Sequence, residues 1–109
     1  MTNGQNESAE GSITVQIDEG LQEIVPGFLE NRRRDVQTLE RALKENDLRA
    51  IHLIGHRLKG DGGGYGFDAI SAIGGVLEQA AAREDRVVIR RQIAELVDYL
   101  ARVTVVYRK

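Results

Sequence analysis

The sequence predicts an all-α fold, an antiparallel up-down-up-down four-helix bundle with a short extra N-terminal helix. Three observations lead there. From Asp18 onward the apolar residues recur at helical spacing, the segments that carry them are joined by short polar connections, and no alternating stretch finds a second strand to pair with. The chain has 109 residues, 41% hydrophobic and 29% charged, which suits one domain with a single core.

Residues 1–17 read as a flexible N-terminal tail and residues 18–109 as the folded domain. Met1 to Gly11 is polar and rich in Asn, Gly and Glu, with almost nothing to bury. Ser12 to Ile17 alternates like a strand, but without a partner it reads as an extended lead-in. Asp18 suits the N-cap of a short helix through Val25, and Pro26 opens a long one that runs to Lys44. Phe28, Leu29, Val36, Leu39 and Leu43 form its apolar stripe, interrupted by Arg32 and Arg33. Asn46 and Asp47 end that helix, and Asp47 caps the next, about Leu48 to Lys59. The run Gly60 to Gly66 reads as the end of this helix, because each helical glycine costs about 1 kcal/mol relative to alanine. A third helix spans about Phe67 to Arg83. The last follows Glu84 and Asp85, with a near-heptad stripe of Ile89, Ile93, Leu96, Leu100, Val103 and Tyr107.

Composition excludes several functions. Without cysteine there is no disulfide scaffold, thiol chemistry or Cys-ligated metal. A net charge of −2 gives no general attraction to nucleic acid, and the Arg32-Arg33-Arg34 run reads as a solvated helix face. Arg33 or Arg34 is expected beside the helix of Leu48 to Lys59. The longest uncharged stretch, Ala69 to Leu77, is far below the roughly 20 residues of a membrane span. With no secretory signal pattern either, the expectation is a cytoplasmic, soluble monomer.

Chemistry concentrates in Leu48 to Gly66. On a helical wheel with His56 at zero, Ile54, Leu58 and Ile51 lie between about 160° and 220°, so His56 points away from the core. Lys59 lies about 60° to one side, and Gly60 about 40° to the other. A neutral exposed imidazole is a nucleophile, a neighbouring ammonium offsets phosphoryl charge, and a residue without a side chain lets a partner approach closely. His52 and His56 have the i, i+4 spacing of a metal pair, with Glu45, Asp47 or Asp61 as third ligands. The spacing fixes none of these, so the expectation is no metal.

His56-Arg57-Leu58-Lys59-Gly60, with Gly66 ten residues after the histidine and Leu77-Glu78 in the following helix, resembles the histidine phosphotransfer (HPt) domain family. The resemblance covers about Leu21 to Arg83 and extends to the final helix. It implies that His56 carries a phosphoryl group exchanged with an aspartate of a response-regulator receiver domain in a phosphorelay, the partner being such a receiver, a hybrid histidine kinase or both. Lys59 would contact the phosphate, and Gly60 would leave room for the receiver. The receiver supplies the magnesium and acidic pocket, so the chain needs no cofactor and has no kinase activity of its own. His52, Leu53, Gly60, Tyr65 and Gly66 are the expected partner contacts. Gly55 is expected to loosen its helical turn, Asp61 to place a negative charge near the site, Gly74 and Gly75 to allow close helix packing, and Glu78 to be a surface or capping residue. Two other readings stand beside this one: a docking module that regulates a receiver or kinase without carrying phosphate, and a homodimerising bundle built on the last helix.

Overall fold

The computed structural model describes residues 11–109. The expected tail at Met1 to Gly11 lies outside these residues for its first ten positions. Strand β1 (Ile13–Asp18) leads through a 3₁₀ turn (Glu19–Leu21) to helix α1 (Val25–Lys44). Helices α2 (Leu48–Gly64), α3 (Asp68–Ala82) and α4 (Arg86–Arg102) follow, and strand β2 (Val103–Arg108) closes the chain. Neighbouring helices pack in the order α1, α2, α3, α4, and α4 returns to α1. Leu39, Ile51, Leu58, Phe67, Ile70, Leu77, Ile89 and Leu96 fill the centre with no exposure. Among the described residues no helix is long and apolar enough to cross a membrane.

The three connections, 45–47, 65–67 and 83–85, are the same turn built three times. In each the middle residue is left-handed: Asn46 at φ 60°, Gly66 at φ 89° and Glu84 at φ 59°. The next amide then donates back to the last turn of the preceding helix, Asp47 to Ala42 O, Phe67 to Gly62 O and Asp85 to Ala80 O, at 2.7–2.8 Å. Asp47 and Asp85 go on to cap α2 and α4 by accepting from Ala50 N and Val88 N. Such tight turns force successive helices to run antiparallel.

Four expectations are corrected. The lead-in at residues 13–17 is most of strand β1, paired in parallel with β2, Ile13 beside Val103 and Ile17 beside Tyr107. The last helix ends at Arg102, so Val103 and Tyr107 are strand residues. A four-residue interval keeps the same face in a helix and in a strand, which is why both fit the stripe. The β-branched run Val103-Thr104-Val105-Val106 favours the extended form once Ile13, Val15 and Ile17 lie beside it. The extra N-terminal helix is only a single 3₁₀ turn, although Asp18 does cap it through Gly20 N at 2.7 Å. Finally, α2 continues through Gly60-Asp61-Gly62-Gly63-Gly64 instead of stopping at Lys59.

Glycine explains that continuation. A Cβ on Gly62 would sit 2.5 Å from Ser71 N and 3.0 Å from Phe67 O. The backbone of α2 therefore lies directly on that of α3, and Ser71 Oγ donates to Lys59 O at 2.6 Å. Packing of this kind outweighs the helix-propensity cost of the glycines.

Candidate functional site

Helix α2 buries Ile51, Ile54, Gly55 and Leu58 and turns His56 outward. The His56 side chain is 69% exposed, and Lys59, three residues on, is 53% exposed. Between them stands a carboxylate from the neighbouring helix. His56 Nδ1 lies 2.8 Å from Glu78 Oε2, and Lys59 Nζ lies 3.3 Å from Glu78 Oε1. An ionised carboxylate only accepts, so Nδ1 carries the ring proton and donates it. That leaves the lone pair on Nε2, at the outer edge of the ring. The hydrogen bond from His56, helped by Lys59, holds the Glu78 carboxyl below its ordinary pKa of 4.5 against the opposing effect of desolvation.

The reach of Glu78 depends on two glycines. A Cβ on Gly55 would meet Glu78 N at 2.7 Å and Gly74 O at 2.8 Å. A Cβ on Gly74 would meet Lys59 N at 2.5 Å and Gly55 O at 2.6 Å. Backbone thus touches backbone where α2 and α3 cross, which brings a glutamate on one helix to a histidine on the other. Gly55 is therefore a packing position and does not loosen its turn, while Gly74 packs as expected. Gly75 is more open, its nearest neighbour being the Lys59 stem at 3.4 Å. Glu78, expected on the surface, is the residue that sequence reasoning missed. Its signal was present in the paired glycines on facing helices, with Glu78 one turn beyond Gly74.

Leu53 (57% exposed) and Gly60 lie on the outward surface of α2 with His56, and a side chain at Gly60 would meet nothing within 4 Å. His52 is half-buried in a shallow groove with Leu53, Arg49 and Ala81. The structure does not bring Tyr65 or Gly66 to this surface. Tyr65 is half a helical turn from His56 and packs on Phe28 at 4.4 Å between ring centroids. Gly66 is the left-handed centre of its turn and abuts Ile17. Asp61 also faces away, 3.8 Å from Arg32 Nη1. The α1 arginine turned toward α2 is the buried Arg32, whereas Arg33 lines a groove against α4. Among the described residues no group of three His, Asp or Glu side chains is arranged to hold a metal ion.

What remains is an exposed imidazole with its Nδ1 proton held by Glu78, a half-exposed ammonium beside it and an unobstructed approach, an arrangement suited to accepting an electrophile on Nε2. A family model described as Hpt domain matches residues 23–104. No curated protein and no solved structure matches the chain.

Proposed function

The chain belongs to the Hpt domain family, and from that premise we propose that His56 is its phosphoryl carrier in a phosphorelay, exchanging with the aspartate of a response-regulator receiver domain. The family implies histidine phosphotransfer, without kinase activity of the domain's own. The observation that supports His56 is the 2.8 Å contact between Nδ1 and Glu78, which commits one ring nitrogen and leaves Nε2 free to react.

In the forward step the Nε2 lone pair attacks the phosphorus of the receiver's aspartyl phosphate. The N–P bond forms as the P–O bond to the aspartate breaks, and the carboxylate leaves with the bonding electrons. The ring gains positive charge while Nδ1 keeps its proton, and the Glu78 carboxylate faces that charge. Lys59 exchanges its contact with Glu78 for one with the arriving phosphoryl oxygens. Exposed ion pairs of this kind contribute little, so the exchange is easy. The reverse step returns the phosphoryl group to an aspartate by the same path. The donor is a phosphorylated receiver domain, free-standing or carried by a hybrid histidine kinase.

The receiver docks over Leu53 and Gly60, with the groove beside His52 at the edge of the contact. A small interface with a few apolar anchors suits a transient partner. Tyr65 and Gly66 act through the fold and do not touch the partner. The test is transfer from a phosphorylated receiver to wild type and to His56→Gln. Acid-labile, alkali-stable label on wild type alone supports the reading; label on the variant, or binding without label on either, contradicts it.

A further inference from the structure

The side of α2 away from His56 carries a second polar feature, which the phosphocarrier reading leaves unused. A groove of about 450 Å³ lies between the first half of α1 and the last turn of α2, bounded by Glu23, Ile24, Asn31, Arg32, Asp61 and Tyr65. Gly27 leaves its wall open, since a Cβ there would meet nothing within 4 Å.

Arg32 is only 7% exposed, yet its guanidinium is half used. Nε donates to Asp35 Oδ2 at 2.8 Å, and the guanidinium carbon lies 4.7 Å from the centre of the Phe28 ring. Asp35 is itself shared, accepting from Arg57 Nη2 at 3.1 Å. The two terminal nitrogens of Arg32 make no hydrogen bond to the described residues. Asp61 Oδ2, at 3.8 Å from Nη1, is beyond hydrogen-bond distance. Arg32 is among the residues that line the groove. Buried ionic clusters seldom stabilise a fold more than apolar packing would, and stability is therefore a poor account of this one.

A guanidinium presenting two parallel donors is shaped for a carboxylate. A bare anion would meet repulsion from Asp61 and Glu23, whereas a ligand with a cationic nitrogen next to its carboxylate satisfies both signs. We propose that this groove binds the headgroup of a free α-amino acid with an apolar side chain. The carboxylate sits on Nη1 and Nη2 of Arg32, the ammonium faces Asp61, and the side chain lies on Tyr65 and Ile24.

The experiment titrates the full chain with L-phenylalanine, N-acetyl-L-phenylalanine and L-phenylalaninamide, following the Arg32 Nε–H and Tyr65 ring signals by NMR. The proposal expects saturable shifts with the free amino acid and binding about tenfold or more weaker for each blocked analogue, as for loss of one charged contact. Asp61→Asn changes a partly exposed side chain and leaves the core intact; it should remove the discrimination against the N-acetyl compound and keep that against the amide. Absence of saturable shifts, or equal binding of all three compounds, overturns the proposal. Unchanged discrimination in Asp61→Asn overturns the placement of the ammonium.

Discussion

Replacing Gly74 by alanine tests whether glycine packing builds the His56 site. The added Cβ would lie 2.5 Å from Lys59 N and 2.6 Å from Gly55 O, both backbone atoms that cannot swing aside. Restoring an ordinary contact of 3.4 Å requires α2 and α3 to part by about 0.9 Å, which moves the backbone that carries Glu78 relative to the one that carries His56 and strains their 2.8 Å contact. Overpacking of this kind costs about 1–3 kcal/mol, against about 1 kcal/mol gained in helix propensity. We therefore expect Gly74→Ala to lower the urea midpoint and slow transfer to His56. Gly60→Ala is the internal control: its Cβ meets nothing within 4 Å, so the same substitution should stabilise by about 0.5–1 kcal/mol. Urea unfolding of the two variants beside wild type decides the matter. A Gly74→Ala protein at least as stable as wild type, with unimpaired transfer, would refute the close-packing argument.

Three further outcomes are expected. Gly60→Gln should keep the wild-type fold by circular dichroism and accept phosphate from phosphoramidate, but lose transfer from a receiver; normal receiver transfer would remove Gly60 from the interface. Glu78 has its pKa lowered in the folded protein, so its ionised form favours folding; that contribution is complete above about pH 4.5 and is lost as pH falls through the lower folded value. Urea midpoints across this acid range should consequently fall less in Glu78→Gln than in wild type, and parallel curves would contradict the assignment. Ile17→Ala should cost about 2–4 kcal/mol, because Ile17 is 2% exposed within the core. A change of only a few tenths of a kcal/mol would instead fit the lead-in expected from sequence.

The helices were legible because each one repeats its signal over several turns. Leu39, Leu58, Leu77 and Leu96 lie on stripes that only one face of each helix can bury, and all four are buried. The parallel pairing of β1 with β2 was not legible, since its two halves are separated by the whole bundle and a parallel pair has no local turn to announce it. Gly60 to Gly64 was misread for a related reason: propensity is a property of the segment, whereas the packing of Gly62 on Ser71 belongs to the fold. The outward placement of His56 and Lys59 followed from the wheel alone. The role of Glu78 did not, because a glutamate 22 residues away becomes a neighbour only where Gly55 and Gly74 let two backbones touch. Tyr65 and Gly66 show the converse, sitting close to His56 in sequence while the end of the helix and its turn place them on another side.

The central claim is that Nε2 of His56 carries the phosphoryl group while Nδ1 stays protonated against Glu78. Phosphorylation of ¹⁵N-histidine-labelled protein with phosphoramidate, followed by ³¹P and ¹⁵N NMR, tests it most directly. The account predicts one phosphohistidine, at His56, with phosphorus bonded to Nε2 and a proton retained on Nδ1. Phosphorus on Nδ1, or an adduct on His52 in place of His56, would contradict it.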